Sequence, residues 1–341
     1  MDRRLLQREK KIVSDLDLKF IKYLKKGTVF NTLKCLNSEN RHVVIKYLKN
    51  MMLNSEFENE MRILLSSNNN KYMKHLPVIC WDTDYIVTYF INGKRFSFEI
   101  ESNRDMINIL VKAVIEFQSI DIRKLNLKNQ NSFFFCQIAK NIIRLYPEYL
   151  NIKDLVKITF LIAKDALNIF RYQRISHNDL SEENIILDDK NLYFIDFTGF
   201  CPSNFIFYDP SFLCLHGFTR VENWNWQNEF LRVYLHEIKK ELEIELTNAK
   251  LKQMLRIGLI AAALSHICVV LEIERVIPRN KPTMNKIGLI RRLRHSEYRN
   301  TISQRIEIRL HNLAFLLNDD KFNRWFNIVV NLPMACWGVK R

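Results

Sequence analysis

Alternating apolar and polar positions dominate the first part of the chain. The runs KFIKYL (19–24), TVFNTLKCL (28–36) and HVVIKYL (42–48) are rich in Val, Ile, Thr, Phe and Tyr. Gly27 separates the first two, and Asn37-Ser38-Glu39-Asn40 the last two. Runs of this kind bounded by turn residues predict strand, turn, strand, turn, strand. A helix should follow. Ser55 and Glu58 have the spacing of a capping box, in which each side chain satisfies the other's orphan amide. Phe57, Met61, Leu64 and Leu65 then recur at helical spacing, with Glu60 on the border of their stripe. Beyond the SNNNK turn at 67–71, PVICWD and YIVTYFI read as two more strands, ended by Asn92-Gly93.

The period then changes from two to 3.6. Residues 104–120, 133–146, 151–173 and most of 225–330 carry helical patterning. In 151–173 the predicted inner face holds Leu155, Ile158, Leu161, Ile162, Leu167 and Phe170. One β region interrupts the helices, IILDDKNLYFIDF (185–197), with a turn at Asp188-Asp189-Lys190-Asn191. The expectation is a bilobal α+β fold. Its β-rich N-lobe would span 1–92 and its larger, mainly helical C-lobe 93–341.

Composition agrees with that division. The chain has 7 Gly in 341 residues, well below the roughly 7% of an average protein, which favours helices over tight turns. Seven cysteines (35, 80, 136, 201, 214, 268, 336) form no Cys-x-x-Cys and sit mostly in apolar runs. They read as buried, reduced thiols. The N-terminus MDRRLLQREKK lacks the apolar core of a secretory signal. The apolar stretch Ile257–Leu271 falls short of the about 20 residues of a membrane span and reads as a buried helix. A cytoplasmic location is expected.

Charge is uneven. Of the net +15, residues 1–50 contribute 13 Lys/Arg against 5 Asp/Glu, and residues 275–309 contribute 10 against 2. Each segment is thus +8, and the rest is near neutral. Two basic segments point to an anionic partner, such as nucleotide phosphates, an acidic lipid or a glycan surface. Nucleic acid is not expected. A solvated cationic face is the plain alternative.

The chemistry is concentrated in RISHNDLSEENIILDDKNLYFIDF (174–197). Asp196 lies inside the apolar run YFIDF, where an unpaired carboxylate would be costly. Asp179 and Asn184 precede it in a polar loop. Phosphoryl transfer needs such a set: oxygen ligands to hold Mg²⁺ on the phosphates, and a carboxylate to orient the attacking hydroxyl.

At these residues the sequence resembles the protein-kinase-like superfamily. HNDLSEENIIL followed by FIDF is similar to its catalytic loop and metal-binding strand. The resemblance implies that Asp179 is the catalytic-loop aspartate, that Asn184 and Asp196 are metal ligands, and that His177 braces the loop. It implies ATP and Mg²⁺ as cofactors. Lys46, with Glu60 fourteen residues on, falls where the phosphate-binding lysine and its helix partner belong. The glycine-rich phosphate loop is reduced to Gly27, with Lys25, Lys26 and Thr28 as candidates to assist it. Ser181 replaces the lysine of peptide-directed kinases, Thr198 follows Asp196-Phe197, and no Ala-Pro-Glu segment appears. The His-Asn-Asp loop and the FYDPSFL segment (207–213) are closer to the aminoglycoside phosphotransferase, choline kinase and lipopolysaccharide-core sugar kinase branch.

The resemblance therefore implies a small-molecule or glycan hydroxyl as acceptor, and the basic segments 1–50 and 275–309 fit an anionic acceptor and a chain lying peripherally at the inner membrane face. A Ser/Thr protein kinase and a catalytically weak pseudokinase scaffold are the alternatives. Asp209 reads as structural, and the aromatic residues of 200–236 read as core.

Overall fold

The computed structural model describes residues 5–26, 30–49, 54–66, 70–98, 103–125, 133–189, 191–217, 219–241, 246–279 and 296–331. In chain order these form α1 (Gln7–Asp15), β1 (Lys19–Lys26), β2 (Phe30–Leu36), β3 (His42–Leu48) and α2 (Asn54–Leu65). β4 (Met73–Lys74), β5 (Val78–Trp81), β6 (Tyr85–Tyr89) and β7 (Lys94–Arg95) follow. Next come α3 (Arg104–Gln118), α4 (Phe133–Leu145), α5 (Ile152–Arg171), β8 (Gln173–Ser176), β9 (Ile185–Asp188), β10 (Asn191–Phe194) and β11 (Cys201–Phe205). The chain continues through α6 (Tyr208–Leu215), α7 (Trp226–Glu241), α8 (Asn248–Arg279), α9 (Ser296–Leu317) and α10 (Asp319–Asn331).

The predicted strands pair as one antiparallel sheet in the order β1-β2-β3-β6-β5. Alternation along β3 divides its side chains between two cores. Val43 and Ile45 face a small cluster with Leu33, Cys35 and Val87. Leu48 joins the main core with Phe30 and Phe57.

The small cluster is closed by α1, which the sequence reading did not anticipate. This helix inserts Ile12 and Val13, and Leu5 just before it joins them. Its buried Glu9 accepts hydrogen bonds from Leu6 N at 2.8 Å, and from Tyr23 Oη and Asn31 Nδ2. Arg8 Nε reaches Asp84 Oδ2 at 2.8 Å. These partners lie far along the chain, so local patterning could not reveal them.

Two predicted faces need correction. On α2, Phe57, Glu60, Ile63 and Leu64 are buried while Leu65 is 40% exposed. Glu60 thus sits within the inner face instead of bordering it. The side chain of Ser55, and with it the expected capping box, lies outside the described residues. On α5, Ile158, Asp165 and Ile169 point inward. Leu167 and Phe170, expected inside, are 85% and 54% exposed.

The second sheet has the order β4-β10-β9-β7, with β4 parallel to β10 and the other pairs antiparallel. Its centre is the predicted hairpin. Gly93 runs directly beneath it: a Cβ there would lie 2.4 Å from the Leu187 carbonyl oxygen and 2.7 Å from Ile186 Cγ2.

The helical part is built on α8. Its segment Asn248–Leu271 is long and apolar enough to cross a membrane, yet the most apolar 18-residue window of it is 94% buried within the protein. Gly258 allows α8 to approach α6, where a Cβ would meet the Phe207 carbonyl oxygen at 2.7 Å. Phe205, Phe207, Tyr208, Trp224, Phe230 and Tyr234 are all buried, so much of the aromatic stretch is core. Cys35, Cys201, Cys214 and Cys268 are buried, but Cys136 is exposed, contrary to the expectation for the thiols as a group. Cys336 and residues 280–295 of the basic segment 275–309 lie outside the described residues.

Candidate active site

Lys46 lies on β3, paired with Thr32 of β2 and Ile86 of β6. Its position in the alternation turns it towards α2. Its ammonium nitrogen donates to both carboxylate oxygens of Glu60, at 2.7 Å each, and to Asp196 Oδ1 at 2.8 Å. The Phe30 ring lies 4.6 Å beneath it. Burial opposes the lysine charge most strongly, but the two carboxylates outweigh it and hold its pKa above the ordinary value. Glu60 is pushed up, first by burial and then by the charge of Asp196, against the pull of Lys46. One ammonium thus serves two carboxylates, and Glu60 carries the cost.

Asp196 lies two residues beyond the hairpin strand β10, with φ 63° and ψ 58°. This left-handed conformation is tolerated better by Asp and Asn than by most residues. Its Oδ2 accepts from Lys25 Nζ of β1 at 2.9 Å. Both of its oxygens are therefore engaged by lysines of the first sheet, and the residue ties that sheet to the hairpin.

The preceding loop is fixed by buried groups. His177 is fully enclosed, and its Nε2 faces the Ile195 carbonyl oxygen at 2.9 Å. Phe197 packs on its ring with centroids 4.8 Å apart. Burial lowers its pKa to about 4, so the ring is neutral and carries its proton on Nε2.

Asp209, at the start of α6, is 0% exposed. It accepts from His177 N at 2.8 Å, Asn178 N at 2.9 Å and Ser176 Oγ at 2.8 Å. Burial nevertheless pushes its carboxyl up to about 6. Asn178 adopts φ 67°, and its side-chain oxygen accepts from Asn204 Nδ2 at 2.9 Å. Asn204 was not singled out by the sequence; an Asn amid CPSNFIF, within an aromatic-rich stretch, was the available signal.

Asp179 follows at the open surface of this scaffold. Its carboxyl is pushed up to about 6, chiefly by desolvation and then by the charge of Asp196. The residue is exposed, yet the groups crowding around its carboxyl desolvate the charge. Asn184 Nδ2 donates to Asp179 O at 2.8 Å and to Asp179 Oδ2 at 3.1 Å. Ile195 N in turn donates to Asn184 O at 3.0 Å.

The structure thus brings Lys46, Glu60, Asp179, Asn184 and Asp196 to one place, with Lys25 beside them. Gly27 lies outside the described residues.

The donor set suits a hard divalent cation. A carboxylate from Asp196 and an amide carbonyl from Asn184 are oxygen ligands of the kind Mg²⁺ takes. Among the described residues no group of three or more His, Cys, Asp or Glu is placed to hold a metal ion by itself. An ion here would complete its shell with phosphate and water oxygens.

No protein-family profile matches the sequence, and no curated protein does. The fold, however, is shared with solved structures. Choline kinase from Cryptosporidium parvum superposes with a TM-score of 0.62 at 13% identity, covering 94% of this chain and 96% of that one. Plasmodium vivax ethanolamine kinase gives 0.55 at 17% identity, covering 88% and 84%. The aminoglycoside phosphotransferase APH(4)-Ia, in a ternary complex with ADP and hygromycin B, gives 0.57 at 11% identity, covering 90% and 99%. The chain has the protein-kinase-like bilobal fold of these small-molecule phosphotransferases.

Proposed function

We propose that this protein is an ATP-dependent phosphotransferase that moves the γ-phosphoryl group to a hydroxyl of a small molecule or glycan. The observation that carries the reading is the joining of Lys46, Glu60 and Asp196 through one ammonium, with all three beside the Asp179–Asn184 pair. A chain using this fold only as a scaffold has no physical need to bury that ion cluster.

In this reading Lys46, steadied by Glu60, orients the nucleotide phosphates. Asn184 and Asp196 hold Mg²⁺, which when bound neutralises phosphate charge. Asp179 positions the acceptor hydroxyl and takes its proton. Asn184, bonded to the Asp179 carboxylate, keeps that group aimed. Asp209 holds the loop backbone and Asn204 the Asn178 side chain, so that Asp179 needs no rearrangement before reaction. Lys25 supplies a positive charge near the phosphates, where Gly27 is the sole glycine of the expected phosphate loop.

The sandwiching of Asp196 by two lysines also favours a second reading, in which the chain binds nucleotide without transferring phosphate. Incubation with γ-labelled ATP, Mg²⁺ and a panel of sugars, aminoglycosides, choline and ethanolamine separates the two. The proposal expects label on one acceptor class, abolished by Asp179→Asn. Nucleotide-dependent thermal stabilisation with no transfer to any acceptor, protein included, would establish the second reading.

A further inference from the structure

Helix α5 carries an apolar stripe on its outer surface. Ile152, Val156, Phe160, Leu167 and Phe170 are 57%, 59%, 64%, 85% and 54% exposed. Their spacing, i, i+4, i+8, i+15 and i+18, keeps them within one sector of the helix. Ala163 lies in the same sector and is exposed. The stripe runs for roughly 27 Å along the axis. Phe170 extends it sideways by stacking on Phe135 of α4, with ring centroids 4.6 Å apart. Scattered exposed apolar residues are ordinary, but a contiguous row of large ones marks a surface that meets something.

The charges beside the stripe identify the partner. Lys153, Lys157, Lys164 and Arg171 are all exposed and follow one edge of it. The acidic residues of α5 do not offset them. Asp154 is used at the helix start, where it and Asn151 cap each other. Asp165 is on the opposite, buried face, paired with Lys250.

A second copy docking antiparallel through the stripe would bring the two basic edges together, and docking parallel would set each basic edge against an edge of α5 that carries no acid. An anionic lipid surface accepts both features at once. The apolar side chains enter the acyl boundary while the flexible lysines reach back to the head groups.

We propose that α5 is an interfacial helix that docks the protein on an anionic lipid surface. This places the contact on α5, not on the basic segments 1–50 and 275–309. It does not depend on the phosphotransferase reading.

The test is co-sedimentation of the full chain with phosphatidylcholine vesicles, with and without 30 mol% phosphatidylglycerol. The proposal expects binding to the anionic vesicles that weakens with salt. The pair Phe160→Asp and Leu167→Asp should lower the partition on the order of tenfold or more. Both positions face solvent, so the melting temperature should stay at the parent value. Lys153→Glu with Lys157→Glu and Lys164→Glu should abolish the preference for anionic lipid.

Equal binding by the parent and the Phe160→Asp/Leu167→Asp variant would overturn the proposal. So would absence of any preference for anionic vesicles. A concentration-dependent dimer that these aspartates dissolve would also overturn it, and would assign the stripe to a second copy.

Discussion

Replacing Lys46 with Met probes the buried ion cluster most directly. The variant keeps the aliphatic length but removes the ammonium that donates to Glu60 at 2.7 Å and to Asp196 at 2.8 Å. Glu60 is 2% exposed and cannot recover its hydration. Asp196 is better placed, since its side chain is 24% exposed and Lys25 still holds it. The cost therefore falls mainly on Glu60. Deleting one partner of a buried pair costs about 3–5 kcal/mol, mostly because the other charge is stranded. Adding Glu60→Gln removes the stranded charge, so the double variant should recover most of that loss.

The sign with pH follows from the carboxyl. Without Lys46, the folded pKa of Glu60 rises further above its ordinary 4.5. The deficit is then full at pH above the folded value and shrinks as pH falls towards the ordinary one. Urea unfolding followed by tryptophan fluorescence, at pH 7.5 and pH 5, measures all three proteins. A single variant within about 0.5 kcal/mol of the parent at pH 7.5 would refute the reasoning. So would a double variant no more stable than the single.

Two further outcomes are expected. If Asp179 must be ionised to accept the proton, its carboxyl at about 6 makes kcat/KM fall about tenfold per pH unit below that value. A flat profile from pH 5 to 8, with stability intact, would remove Asp179 from that role. Gly258→Ala should destabilise by about 1–3 kcal/mol, because the new methyl meets backbone at 2.7 Å between α8 and α6. An unchanged denaturation midpoint would show that the two helices separate freely.

The parts of the fold that follow local rules were legible in the sequence. β1, β2, β3, β5, β6 and the β9–β10 hairpin follow from alternation and turn residues; Lys46 stood in a predicted strand, and Asp179, Asn184 and Asp196 drew attention through the kinase-like motif around the hairpin. What escaped depends on contacts between distant segments. Helix α1 is only 9 residues long and is held by Tyr23, Asn31 and Asp84. Strand β4 is two residues long and exists because β10 lies parallel to it. The face of α5 was misjudged because its apolar residues nearly encircle the helix. Periodicity alone gave no reason to turn Leu167 outward. The bond from Lys25 to Asp196 spans 171 positions, and only folding reveals it.

Helix α8 has a consequence for how the chain is made. Its segment Asn248–Leu271, whose most apolar 18-residue window has mean hydropathy 2.1, leaves the ribosome looking much like a membrane anchor. Its partners in α4 and α6 are synthesised earlier and can cover it as it emerges. Arg256 adds a safeguard. An arginine costs about 2.5–3.5 kcal/mol at the centre of a membrane span; Arg256, towards the start of this one, bears part of that cost. In the finished protein the same guanidinium donates to the carbonyl oxygens of Leu316, at 2.7 Å, and Leu317, at 3.2 Å. It also pairs with Asp319. One side chain thus deters insertion during synthesis and afterwards joins the end of α9 to the start of α10.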